Sequence, residues 1–330
     1  MPILFCIAKF YEHKCRHLHN FNTKEKNMKA VSRKKFILSG LSLIPLPFIL
    51  SAEKGESLKL SFSTLGCPDW TFDKIIAFAA DHAYSGIEVR GILREMDLTK
   101  VPEFSSAAQI TNILSRMKDR GLSFVDLGSS AAMHYPEGAL RSKSLDEGKR
   151  FIDLASKLGC PFVRVFPNEI PKSADRQQTL DLIAKGLNEL GEYAKGTKVS
   201  VLLESHGEVI YKKDLKYIME TAGHEHVGLV WDICNMWSVT KESPAEVYAA
   251  LSPYIRHTHI KDLEIVNGKE KYVLLGKGIV PIFNAIDILH RHHYSGYYSF
   301  EWEKLWHPEI DAPEIALADY PVAMKKHFNR

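Results

Sequence analysis

The chain has 330 residues, 45% apolar and 25% charged, which is enough hydrophobic side chain for a sizeable core and excludes a disordered, collagen-like or disulfide-dense polymer. Its formal charge of +3 misleads, because residues 1–52 hold nine Lys or Arg against only Glu12 and Glu25, and the remainder carries 34 basic and 38 acidic residues, a net of −4. A mildly acidic body is a poor ligand for a polyanion, since nucleic-acid affinity comes mostly from neutralised phosphates, so DNA and RNA are discounted as partners.

The basic segment leads into an apolar run, Phe36 to Leu50, followed by the small and polar residues Ser51-Ala52-Glu53-Lys54-Gly55. Basic, then apolar, then small is the order of an export signal. The run is interrupted by Pro45 and Pro47 and falls short of the roughly 20 apolar residues that span a bilayer, so contact with a membrane is expected only during export, towards the periplasm. Ser32-Arg33-Lys34-Lys35-Phe36 resembles a twin-arginine export motif with Lys in place of the second Arg, and Met28 stands where such a leader would start. The reading divides the chain into an extension with export signal, 1–52, and one domain, 53–330. Beyond the leader, Cys67, Cys160 and Cys234 are odd in number and contain no CxxC pair, so no disulfide framework is implied.

From there short β-rich runs alternate with stretches of helical period, without a low-complexity segment or a long linker. Strands are predicted at Leu58–Thr64, Gly86–Gly91, Ser123–Gly128, Phe162–Pro167, Ser200–His206, Val227–Ile233, Ile255–Lys261 and Tyr297–Glu303. Helices are predicted at Thr71–His82, Ala107–Arg120, Leu145–Leu158, Gln177–Lys195, Lys213–Thr221 and Ile282–His292, and a terminal helix at Pro313–His327. Eight such units need about 250 residues as a closed barrel; residues 58–330 supply them. No GxGxxG follows the first strand, which argues against a doubly wound open sheet. The predicted fold class is therefore α/β, a single (β/α)8 TIM barrel.

In such a barrel the reactive groups stand at the C-terminal ends of the strands. Four consecutive strands end in an ionisable residue: Val-Leu-Leu-Glu204, Gly-Leu-Val-Trp-Asp232, His-Thr-His259 and Tyr-Ser-Phe-Glu301. Each follows residues that must be buried, and a buried unpaired carboxylate is costly, so a shared cation that compensates all of them is the economical reading. Three carboxylates and an imidazole suit one divalent metal ion, Mn²⁺, Mg²⁺, Co²⁺ or Zn²⁺. Residues two apart on a strand share a face, which adds His206 beside Glu204, His257 and Lys261 beside His259, and Glu303 beside Glu301. Glu88 and Arg164 end earlier strands and join the substrate-binding candidates; Arg90 is read as structural. Lys261 either holds a substrate oxygen or pairs with a carboxylate.

From Leu58 onward the chain resembles the xylose-isomerase-like barrel superfamily of sugar isomerases and epimerases. The matching pieces are Leu-Leu-Glu204-Ser-His206, Val-Trp-Asp232-Ile-Cys-Asn235, His259-Ile-Lys261-Asp, Leu-Gly-Lys-Gly at 275–278 and Phe-Glu301-Trp-Glu303. The resemblance implies a metal-dependent proton transfer on a small-molecule sugar through an enediolate, with Glu204 and Glu301 both binding metal and moving protons. Where many members have a histidine three residues after the strand-six aspartate, this chain has Asn235, which can bind a hydroxyl but cannot shuttle a proton. Isomerase, epimerase and lyase or dehydratase outcomes stay open, as does a non-catalytic sugar-binding barrel. A multi-zinc phosphodiesterase needs more histidines on the early strands than His134 alone.

Gly276-Lys277-Gly278 is the only short Gly/Lys turn and is read as a plain loop, so an unphosphorylated sugar is expected, with Trp70, Trp237, Trp302 and Trp306 as candidate stacking platforms and Trp231 in the core. The segment from Leu305 to Ile315 is expected to cover the mouth as a lid or to pack a second copy in a homo-oligomer, with Trp306 and His307 as its working residues.

Overall fold

Runs such as Val201-Leu202-Leu203 and Gly228-Leu229-Val230-Trp231 have no polar alternate positions, the mark of strands buried on both faces. In the computed structural model, which describes residues 58–172 and 174–329, these runs form a closed parallel barrel. Its strands are β1 (Leu60–Ser63), β2 (Gly86–Val89), β3 (Ser123–Ala132), β4 (Phe162–Phe166), β5 (Ser200–Glu204), β6 (Val227–Asp232) and β7 (Ile255–Ile260). After a separate two-stranded hairpin, β8 (Asp262–Val266) and β9 (Lys269–Val273), the last barrel strand is β10 (Tyr298–Phe300), and β10 closes the ring against β1. The single (β/α)8 barrel is thus the fold. The segment read as an export signal lies outside the described residues.

Helices α1 (Phe72–Asp81), α2 (Ala107–Asp119), α3 (Ala139–Leu158), α4 (Arg176–Ala194), α5 (Lys212–Ala222), α6 (Ile233–Thr240), α7 (Pro244–Leu251), α8 (Ile282–Arg291) and α9 (Pro313–Phe328) form the connections and the C-terminus. Their starts are written locally. Thr71, Ser106 and Asp175 accept the backbone N–H three residues on, and Ser243 with Glu246 forms a capping box. The apolar faces, for example Ile75, Ile76 and Ala79 of α1, are buried.

Three elements go beyond the predicted set: the hairpin, α6 and α7. The hairpin had a readable signal, since Asn267-Gly268 between alternating residues is the strongest short-range turn motif, and both residues have positive φ (51° and 74°). Helix α6 starts on the residue after β6, too soon for a loop to announce it. Among the described residues no helix is long and apolar enough to cross a membrane.

Candidate metal centre

Local structure aims each strand-ending side chain. Asp232 closes β6 and is also the N-cap of α6: its Oδ1 accepts the Asn235 N–H at 2.8 Å, which fixes the carboxylate and turns Oδ2 towards the cluster without a hydrogen bond. His259 is the fifth residue of β7, Glu204 is the last of β5, and Glu301 directly follows β10.

The barrel brings the four together. One ligand atom from each of Glu204, Asp232, His259 and Glu301 lies within 4.8 Å of the others, and all four residues are buried. His259 Nδ1 stands 3.4 Å from Glu204 Oε1, 3.3 Å from Glu301 Oε2 and 3.8 Å from Asp232 Oδ2. Glu204 Oε2, Asp232 Oδ2 and His259 Nδ1 are buried without a hydrogen bond. Buried polar atoms without a hydrogen bond are costly, and two carboxylates and an imidazole in that state beside the third carboxylate, Glu301, make the arrangement that a divalent cation satisfies. The residues therefore fit the metal that their types imply.

Two buried cations stand against this cluster. Arg164 Nε is 3.0 Å from Glu204 Oε2, its Nη1 donates to the Ser129 carbonyl at 2.6 Å, and its guanidinium lies 3.7 Å over the Phe166 ring. Lys261 Nζ donates to Glu301 Oε2 at 2.5 Å and to Glu303 Oε1 at 2.6 Å, and sits 2.7 Å from Asp232 Oδ2 off the line of a hydrogen bond. The structure thus gives Lys261 to the carboxylates and not to a substrate oxygen.

Burial pushes the Glu301 carboxyl up, but the charges of His259 and Lys261 outweigh it and hold Glu301 well below the ordinary carboxylate range. Burial works against a charged His259, yet Glu301, Glu88 and Glu204 together hold its imidazole well above its ordinary value. Glu303, pushed up by burial, stays above the ordinary carboxylate value despite Lys261.

Glu88 and His257 differ in place from the sequence-based expectation. Both are fully buried and neither lines the cavity beside the cluster. Glu88 Oε2 accepts hydrogen bonds from His257 Nε2 at 2.9 Å, His259 Nε2 at 3.1 Å and Ser299 Oγ at 3.0 Å. Asp126, which no local motif flags, is buried nearby on β3 with neither carboxylate oxygen bonded, and burial first, then the Glu88 charge, push it up to about 8.

The cluster opens on a cavity of about 250 Å³. His206, Asn235, Arg164 and Glu303 line it as expected candidates; Arg90 and Trp306 line it as well. Of the tryptophans, Trp302 is buried and donates to the Asp311 carbonyl, Trp70 packs on Phe78 under Lys74, and Trp237 carries Lys241 over its ring, which leaves Trp306, 56% exposed, as the one at the cavity. His307 meets Glu309 at 3.2 Å and the Tyr272 ring. The Gly276-Lys277-Gly278 turn is spent on structure: Asp262 accepts the N–H groups of Leu263, Gly276, Gly278 and Val280. Cys67, Cys160 and Cys234 are buried free thiols.

A family model described as xylose isomerase-like TIM barrel matches residues 76–319. No curated protein matches the chain. Among solved structures, the probable 3-DHS dehydratase AsbF of Bacillus anthracis aligns with a TM-score of 0.67 at 17% identity, covering 81% of this chain and 99% of that one. The IOLI protein, with a binding zinc atom, aligns with 0.68 at 17% over 82% and 98%. D-Psicose 3-epimerase with D-tagatose, from Clostridium cellulolyticum H10, aligns with 0.65 at 14% over 82% and 99%. At these identities the likeness is one of fold.

Proposed function

The chain belongs to the xylose isomerase-like TIM barrel family, and on that premise we propose that it is a divalent-metal-dependent enzyme that moves a proton beside the carbonyl of a free or keto sugar, an isomerase or epimerase. The convergence of Glu204, Asp232, His259 and Glu301, two of which, Glu204 and Glu301, line a cavity of monosaccharide scale, carries this reading. A bound divalent ion would polarise a substrate carbonyl as a Lewis acid.

The chain's own residues then divide the work. Glu204 and Glu301 approach the reacting carbons as the two proton-transferring carboxylates. Arg164 and Lys261 hold them in place and keep them ionised, ready to accept a proton. Asn235 and His206 bind hydroxyls at the wall, and Trp306 packs a sugar face at the mouth. In this proposal the protein works after export, which fractionation of cells expressing the full chain tests.

A second reading, dehydration, has one observation in its favour. Glu303 lines the cavity with its carboxyl raised above the ordinary value by burial, the direction that favours giving a proton to a departing hydroxyl. Incubation of Mn²⁺-loaded protein with keto sugars in D₂O separates the two: incorporation of deuterium at carbon without loss of water supports proton transfer alone, loss of water supports the lyase, and neither, together with no bound metal, refutes both. Glu204→Gln/Glu301→Gln is expected to abolish metal loading and exchange together.

A further inference from the structure

Arg90 is 6% exposed and lines the cavity above Glu204 and Glu301. Its guanidinium donates to the Gly128 carbonyl at 3.4 Å and to Ser130 Oγ at 3.0 Å, and among the described residues no carboxylate lies within 4.0 Å of it. The other buried cations of the site are matched, Arg164 by Glu204 and Lys261 by Asp232, Glu301 and Glu303.

Arg90 instead neighbours another cation. Burial, with the charge of Arg164 behind it, brings the Arg90 guanidinium down to about 9. Gly128, between them on β3, permits this: a Cβ there would come 2.7 Å from Arg90 Cδ and 3.0 Å from Arg164 Nη2. A buried charge is retained at a cost of several kcal/mol unless a counter-charge meets it. No carboxylate pairs with Arg90 directly, Glu204, Glu147 and Glu301 acting on it only from beyond 4.0 Å, and the open side of Arg90 is the cavity.

Resting on the reading of this site as a metal-dependent sugar enzyme, we propose that its substrate is an acid sugar, whose anionic group Arg90 receives. Cavities for drug-sized ligands run to roughly 300–1,000 Å³, so about 250 Å³ suits a monosaccharide. A carboxylate is the anion of choice, because it is planar and takes two parallel N–H bonds from one guanidinium.

The test is calorimetric titration of the Mn²⁺-loaded full chain with D-fructose, 5-keto-D-gluconate and D-fructose 6-phosphate, repeated on Arg90→Gln and Arg90→Lys. The acid is expected to bind about tenfold tighter than fructose in the parent, a difference of about 1.4 kcal/mol, shrinking to about twofold in Arg90→Gln and only partly kept in Arg90→Lys, which retains the charge but not the paired bonds. A preference for the phosphate that collapses in the same way supports the anion and makes phosphate its source. Fructose bound as tightly as both anions overturns the inference and leaves the metal-dependent sugar reading intact. Metal bound with no affinity for any of the three overturns both.

Discussion

Glu88 accepts a hydrogen bond from His259 Nε2 at 3.1 Å, and that bond decides which nitrogen of the imidazole a metal can use. A carboxylate can only accept, and burial notwithstanding, the neighbouring imidazoles hold Glu88 ionised, so Nε2 carries the hydrogen and Nδ1 faces Glu204 and Glu301. Glu88, His257 and His259 come within ligand reach of one another themselves, but both Nε2 atoms are already engaged with Glu88 Oε2, which Ser299 also meets.

Carboxylates that orient a metal-bound histidine are worth roughly 10–100-fold in metal affinity. Glu88→Gln is expected to weaken Mn²⁺ binding by about that factor, read by titration against a metal buffer, with the fold kept in circular dichroism. An unchanged affinity would show that His259 is held without it.

Lys261 is the counter-charge of three acids in the metal-free protein. Removing one partner from a buried charge network costs about 3–5 kcal/mol, so Lys261→Met is expected to lower the melting temperature sharply in EDTA. Saturating Mn²⁺ should restore more stability to the variant than it adds to the parent. A loss that metal does not relieve would count against the shared-carboxylate arrangement.

The pH dependence of metal-free stability follows from two opposed displacements. Glu301, held below the ordinary 4.5, contributes stability above that value and loses it as pH falls through its folded pKa. His259, held above the ordinary 6.5, contributes fully below 6.5 and loses it as pH rises through its folded pKa. Melting in EDTA should therefore peak on the mildly acidic side, while metal, which needs the deprotonated imidazole, stabilises increasingly towards alkaline pH. Parallel curves with and without Mn²⁺ from pH 5 to 9 would contradict the assignment.

Asp126 offers a cleaner case. Its folded pKa of about 8 lies above the ordinary 3.8, so the folded state binds the extra proton between these values and loses stability as pH rises across the interval. Asp126→Asn copies the neutral acid in shape. It is expected to raise stability at pH 8 by about 1 kcal/mol or more, since a tenfold change in a protonation equilibrium is worth about 1.4 kcal/mol, and to change little at pH 4. Denaturant titration at the two pH values checks this; an equal effect at both would mean that the carboxyl is not carrying a proton.

The barrel and its four converging residues are legible in the sequence for one physical reason: a strand buried on both faces has no use for a terminal charge unless something meets it at the mouth. Glu204, Asp232, His259 and Glu301 each break an apolar run, and register does the rest. The partners of Glu88 are not legible, because His257, His259 and Ser299 lie more than 160 residues away and meet it only across the closed ring. Nor is the lack of a directly paired carboxylate at Arg90, since a missing pair leaves no motif. Asp126 is hidden similarly: nothing in Phe-Val-Asp-Leu distinguishes an acid facing the barrel interior from one at its surface.

The four N–H bonds to Asp262 give the segment between Leu263 and Leu275 a common origin and terminus. Whatever the chain does in between, it returns to the same carboxylate, one residue past Lys261 and three past His259. Loop closure is forgiving of length, a doubling costing only about 0.6 kcal/mol, so the hairpin can be shortened, extended or exchanged for another segment without disturbing the strand below. A segment free to vary in length thus sits directly beside some of the most constrained residues of the molecule, a graft point for a descendant or a designer.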